Sequence, residues 1–200
     1  MPCGLILEAG WIPVRKTVDL DDHVSVGDHI EIAVRLLPIL DEGALGAMVR
    51  ESLAERGWTR QPDGSMTKQL GEVTATLPPG SLTIRLAVER SSEISATATA
   101  SGTAKEEDLA AQQAVEEAAR EKAEAQLAKA RRVAEQAHVQ RNNEALAGAE
   151  EELRRELDSV VNEVTRRALE VRAASLGQIE QLHEGRDADG RYEVTIVVKT

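Results

Sequence analysis

HIEIAVRLLPILDEGALGAMVRESLAERGW, residues 29–58, reads as a strand, a capped helix and the entry to a second strand. Ile30, Ile32, Val34 and Leu36 fall on one side of a period-two pattern, and Glu31, Ala33 and Arg35 fall on the other. That alternation is the mark of a half-buried strand. Asp41 stands where a helix N-cap is expected, and Leu45, Met48, Val49 and Leu53 repeat at three and four residues, one helical face. Gly43 and Gly46 weaken the first turns, and Gly57 occupies the place of a C-terminal cap. A strand and an amphipathic helix so close together require that the helix cover one face of the sheet the strand joins.

Downstream, Trp58 opens the next strand and Pro62–Asp63–Gly64 is a turn, with proline presetting φ and glycine accepting positive φ. Met66–Leu70 then pairs back, and Val73, Ala75 and Leu77 alternate up to a second turn at Pro78–Pro79–Gly80. Leu82, Ile84, Leu86 and Val88 alternate against Thr83, Arg85, Ala87 and Glu89 as the clearest strand of the chain. Residues 29–90 therefore form one helix on an antiparallel meander. In SSEISATATASGT, residues 91–103, Ile94, Ala96, Ala98 and Ala100 alternate with polar residues, which favours a fraying extension of that strand over a linker. Upstream, residues 1–27 form an N-terminal edge segment: Leu5–Ile6–Leu7 and Trp11–Ile12 suggest a docking tail or edge strand, and DLDDHVSVGDH reads as an acidic loop.

Thr103 and Glu106 match a capping box, and from there to about Val139 no proline or glycine interrupts a helix-forming composition. Arg141–Asn142–Asn143 is the natural turn, followed by a second helix from about Glu144 to Leu176 with Gly148 its weak point and Gly177 its cap. Leu153, Leu157, Val160, Val164, Ala168 and Val171 make a narrow apolar seam at coiled-coil spacing. Each helix would be about 50 Å long at 1.5 Å per residue. The chain closes on strands at Ile179–Leu182 and Tyr192–Val198 about a turn at Asp187–Gly190; a lone hairpin is marginal, so it is expected to join the sheet of residues 29–90. The fold expected is α+β: an antiparallel sheet with one packed helix, from residues 28–103 and 177–200, plus an alanine-rich antiparallel helical hairpin, 104–176, inserted before the C-terminal β-hairpin.

Composition narrows function. The chain carries a formal net charge of −11, a field that repels nucleic-acid backbones and anionic lipid. The basic pairs Arg131–Arg132, Arg154–Arg155 and Arg166–Arg167 are flanked by acids and read as solvated helix faces. Aromatics are only 2%, with no Phe, so the core must be Leu, Ile, Val and Ala, and elements facing each other through Ala must approach closely. A single cysteine, Cys3, excludes an internal disulfide and a thiolate metal site and fits a reducing compartment. The N-terminus lacks a basic leader and no apolar run approaches the ~20 residues of a membrane span, so a cytoplasmic location is expected.

Chemistry leaves weak traces. Zinc-protease, Cys-pair, nucleophile-elbow and phosphate-loop motifs are missing, so neither an enzyme nor a cofactor-binding protein is expected. Asp19, Asp21, Asp22, His23, Asp28 and His29 could offer hard ligands to a divalent ion, but Val24 and Ile30 stand where a calcium loop needs Gly and Glu, and a solvated acidic loop is the simpler reading. Ser65-Met66-Thr67-Lys68 spells a nucleophile motif in a hairpin, away from the helix start it requires. Glu135–His138 has the Glu-x-x-His spacing of di-iron bundles without a second copy, which leaves His138 as a surface or hairpin-tip residue.

Two stretches carry a family resemblance: residues 29–58, quoted above, and ALEVRAASLGQIEQLHEGRDADGRYEVTIVVK, residues 168–199. Over about half its length the chain resembles the small accessory proteins of the bacterial FtsH ternary systems, relatives of an uncharacterised cyanobacterial and chloroplast open-reading-frame family. Residues 1–27 and the long helical segment look like departures. The resemblance implies association with an AAA+ ATPase, in a bacterial conflict or stress system, and it carries no catalytic residues. The functional expectation is a non-enzymatic adaptor with a protein partner. The alternatives are a coiled-coil scaffold or stalk whose seam pairs between chains, and an enzyme with a small ligand or metal at the acidic loop. Whether the helices pair within or between chains stays open.

Overall fold

The computed structural model describes residues 11–105, 108–186 and 192–199. In chain order the elements are β1 (Trp11–Ala33), α1 (Glu42–Glu55), β2 (Thr59–Arg60), β3 (Met66–Leu70), β4 (Val73–Leu77), β5 (Thr83–Lys105), α2 (Leu109–Ala174), β6 (Gln178–Arg186) and β7 (Tyr192–Lys199). β1 to β5 form an antiparallel sheet in the order β1-β5-β4-β3-β2, and β6 and β7 form a separate two-stranded sheet. The class is α+β, as the alternations in the sequence require.

Two compact units divide the chain, and β1, β5 and α2 each contribute to both. One comprises the described residues up to Val26 with Glu89–Arg141; the other comprises Gly27–Val88 with the described residues from Asn142 onward.

In the second unit, α1 forms where its sequence places it. Asp41 accepts a hydrogen bond from the Ala44 amide at 2.9 Å, and Gly57, at φ +84°, lets the chain leave the helix in a conformation a Cβ would penalise. The sheet follows with Met66 opposite Leu77, Leu70 opposite Val73 and Ala75 opposite Leu86. One sheet face is apolar and covered. Leu45, Val49 and Leu53 of α1 and Leu153, Leu157, Val160, Val164 and Ala168 of α2 share a single core with Trp58, Met66, Leu77, Ile84 and Leu86. Each large side chain buried there contributes roughly 1.5–3 kcal/mol. The opposite face carries Thr67, Gln69, Thr74 and Arg85, as suits an antiparallel sheet packed on one side.

The first unit is a ribbon of β1 and β5 with the N-terminal part of α2 on one face. Ala96, Ala98, Ala100 and Ala104 of β5 are buried with Val24 of β1 and Ala119 and Ala123 of α2. The ribbon's other face is polar, with Thr17 bonded to Thr99 at 3.0 Å and Thr97 donating to Asp19 at 2.6 Å. Lys16 pairs with Glu116 and Asp22 with Arg131, so strand and helix run the same way. The lengths agree: six strand residues at about 3.3 Å span roughly what fifteen helical residues at 1.5 Å span.

Five expectations are corrected. DLDDHVSVGDH is not a loop but the middle of β1, which runs from Trp11; Leu5–Ile6–Leu7 lies outside the described residues. Val14, Val18, Leu20, Val24, Val26, Ile30 and Ile32 keep one period-two phase, which overrides the low strand propensity of the intervening Asp residues. The capping box is not the start of the helix: β5 continues to Lys105, and Asp108 caps α2 by accepting from the Ala111 amide at 3.0 Å. The helical hairpin is one unbroken helix, Leu109–Ala174. Ala119, Ala123, Leu127, Ala130, Ala134, His138, Asn142, Leu146, Ala149 and Leu153 follow at steps of three and four, so Asn142 falls in the buried stripe and is fully buried. Asn costs only about 0.7 kcal/mol in a helix, too little to break one that is covered along this stripe. Finally, β6 and β7 do not join the large sheet but pair with each other in a sheet of their own. Gly177 belongs to this junction and is not a left-handed cap: a Cβ there would collide with the Lys199 carbonyl oxygen.

The exposed Asn143 separates a helix from a turn. Asn143→Pro is tolerated at a hairpin tip but should cost about 3 kcal/mol or more within an unbroken helix. Urea denaturation of this variant checks it, and a loss below about 1 kcal/mol would restore the turn.

Candidate functional site

The densest polar cluster of the second unit joins α1, β3 and α2. Glu156 and Glu163 sit seven residues apart on α2, two turns along one helix face. Lys68 follows from strand alternation: it shares the covered face with Met66 and Leu70 and reaches up to α2. Its ammonium lies 2.6 Å from Glu156 Oε2 and also donates to the Arg56 carbonyl at 3.2 Å. Trp58 donates its indole N–H to the other oxygen, Glu156 Oε1, at 2.9 Å.

One helical turn pair further along, Ser52 donates to Glu163 Oε2 at 2.8 Å and accepts from Arg56 at 2.6 Å. Arg56 reaches the same carboxylate oxygen at 2.9 Å and Ser159 at 3.2 Å. Arg167 pairs with Glu163 Oε1 at 3.0 Å, with Glu51 at 3.1 Å and with Glu55 at 3.4 Å. Partial burial works against the charge on Glu163, but the hydrogen bonds from Ser52 and Arg56 and the charges of Arg56 and Arg167 outweigh it and hold its carboxyl below the ordinary value. Every carboxylate oxygen of Glu156 and Glu163 thus meets a donor. The cluster works as a clamp that fixes α2 against α1 and β3, and its side chains are engaged with one another.

The seam residues resolve into two groups. Leu153, Leu157, Val160, Val164 and Ala168 are buried in the core against the sheet and α1, whereas Val171 is 50% exposed. The buried part of the seam is therefore the underside of α2 over its own sheet and α1, and not a contact with the second helix of a hairpin.

The other sequence candidates disperse. Along β1, Asp19, Asp21, His23 and His29 alternate with Asp22 and Asp28, which places the two sets on opposite faces. Among the described residues no group of three or more His, Cys, Asp or Glu side chains is arranged to hold a metal ion. Ser65 is buried and donates to Asp63 at 2.7 Å, while Lys68 is bound to Glu156, so the two are not a catalytic pair. The Ser65 hydroxyl and amide draw the Asp63 carboxyl below its ordinary value. His138 is not a tip residue: it is buried in the first unit, its Nε2 2.9 Å from Ser92 Oγ, and Glu135 pairs with Arg131. Its place in the α2 stripe was the sequence signal for this. The clamp itself had none, because Lys68, Glu156 and Glu163 are brought together only by the packing of α2 on β3.

The fold and the clamp together define an α+β protein in which one face of an antiparallel sheet is roofed by helices locked through ion pairs. The chain belongs to the FtsH ternary system domain X5 family, whose model matches residues 10–200. The matched region takes in β1 and the whole of α2. No curated protein and no solved structure matches the chain. Among the described residues no helix is long and apolar enough to cross a membrane.

Two outcomes test the clamp. Glu156→Ala strands the Trp58 indole N–H and the Lys68 ammonium and should cost about 3 kcal/mol in urea denaturation. Glu163 is a carboxyl with a lowered folded pKa. Its stabilisation is present above the unfolded value of 4.5 and is lost as pH falls through the lower folded value. Glu163→Gln should be less stable than the parent at neutral pH and should lose less stability on acidification below 4.5, read from denaturation midpoints at a series of pH values.

Proposed function

We propose that this chain is a non-enzymatic, protein-binding component of a multi-protein system that contains FtsH, acting as an adaptor to the AAA+ ATPase. Membership of the ternary-system family over residues 10–200 carries this reading. The site chemistry supports it: the part-buried acids and bases that join α1, β3 and α2 serve the clamp. The chain's excess of acids suits a protein partner better than nucleic acid. A stalk that pairs its helices between chains would need the Leu153–Ala168 stripe at its surface, and that stripe is core, which weighs against the scaffold alternative. The relation to the cyanobacterial and chloroplast family rests on resemblance alone, and a cytoplasmic location rests on the lone cysteine, which fits a reducing compartment.

The test is direct. The purified chain is titrated into an FtsH-family AAA+ ATPase and the other components of such a system, with binding read by interferometry and ATP turnover in parallel. Saturable binding to at least one component and a changed ATPase rate are expected. Absence of binding to all of them, or substrate turnover by the chain alone, would sink the adaptor reading.

A further inference from the structure

Among the described residues β1 is the edge of the large sheet, bonded to β5 alone. In the second unit the Val34 amide donates to the Leu82 carbonyl at 2.8 Å. β1 itself ends at Ala33, and this bond carries the ladder one residue further. Strand alternation then directs the backbone groups of Ile30, Ile32 and Val34 toward β5 and those of Glu31 and Ala33 outward, with Arg35 following two residues beyond the end of the strand. An edge of this kind is a template for another strand. Glu31 and Arg35 are exposed, and neither joins an ion pair among the described residues. Between this edge and α2 runs a groove of about 710 Å³, lined on its apolar side by Ile32, Val34, Leu157 and Val161.

We propose that a second copy of this chain occupies the end of this edge, the last residues of the two β1 strands, each prolonged through Val34 and Arg35, pairing antiparallel about a two-fold axis through Ala33. In that register Glu31 of each copy lies opposite Arg35 of the other, so two ion pairs form on the outer face. The small Ala33 side chains meet on the axis. On the covered face Ile32 of each copy stands opposite Val34 of the other and closes the groove. Residues with outward backbone groups meet each other, which completes the ladder. Neighbouring registers fail: an axis through residue 31 sets Glu31 against itself, and one through residue 35 sets Arg35 against itself. A shift by one residue matches outward backbone groups with inward ones. The segment is therefore complementary to its own reverse, which a strand of unrelated sequence is not, and the charges that admit a copy repel strands in other registers.

Analytical ultracentrifugation of the full chain over a range of concentrations tests this, with circular dichroism as the check that each variant folds. The parent should dimerise reversibly. Glu31→Arg and Arg35→Glu alone each turn two attractions into two repulsions and should weaken the dimer by roughly tenfold or more. The doubly swapped chain, E31R with R35E, re-creates the pairs in reverse and should return to within about threefold of the parent. A parent that stays monomeric overturns the proposal. So does a dimer indifferent to the single reversals, or a double variant as weak as the singles.

Discussion

One constraint organises this molecule: the unbroken phase of the buried stripe along α2. In a helix of 66 residues the buried positions keep one phase from Ala119 to Ala168, because each unit covers the stretch of α2 that it contains. What covers it changes along the way. Toward its start the stripe is Ala119 and Ala123, and its cover is the alanine face of β5; toward its end the stripe is Leu153, Leu157, Val160 and Val164 over larger side chains. Small against small permits close approach with little area per residue, and large against large gives most of the burial. The low aromatic content follows, since neither kind of packing here has needed wide rings except Trp58.

Polar contacts then select one arrangement from those the apolar stripe permits. Leu and Val side chains would tolerate small rotations or slips of α2, but Glu156 must meet both Trp58 and Lys68, and Glu163 must meet Ser52, Arg56 and Arg167. Partly buried charges of this sort add less net stability than their geometry suggests, because desolvation offsets attraction. Their effect is specificity of register: breaking one leaves its partners stranded. The helix-surface pairs, such as Arg120–Glu124 and Arg131–Glu135, are exposed and contribute little.

Much of the sheet was legible because its signal is local. The strand–helix–strand passage of residues 29–58 carries its own alternation, cap and stop, and the structure follows it. Two of the misses, the acidic loop and the helical turn, share a cause: a polar residue at a position whose phase is apolar. Asp22 and Asp28 interrupt the inward face of β1 and make a strand resemble a loop, and His138 and Asn142 interrupt the stripe of α2 and make a helix resemble a turn. Phase carried across such residues was the better guide than the residues themselves. The clamp was illegible for a different reason. Lys68 and Glu156 are 88 residues apart, and only the packed fold relates them.

Where the chain can act follows from what the fold has already used. The coiled-coil seam is core except at Val171, the charged groups nearest the core are committed to the clamp, and the outer sheet face carries Thr67, Gln69, Thr74 and Arg85. Of the sheet's two edges, β2 is two residues long and offers little template, whereas β1 offers a long one. Proteins blunt such edges with charge, and Glu31 and Arg35 do that against most strands. Opposite signs placed symmetrically about a small residue cannot exclude their own reverse, however, so the device that protects the edge from foreign strands also defines the one strand it accepts.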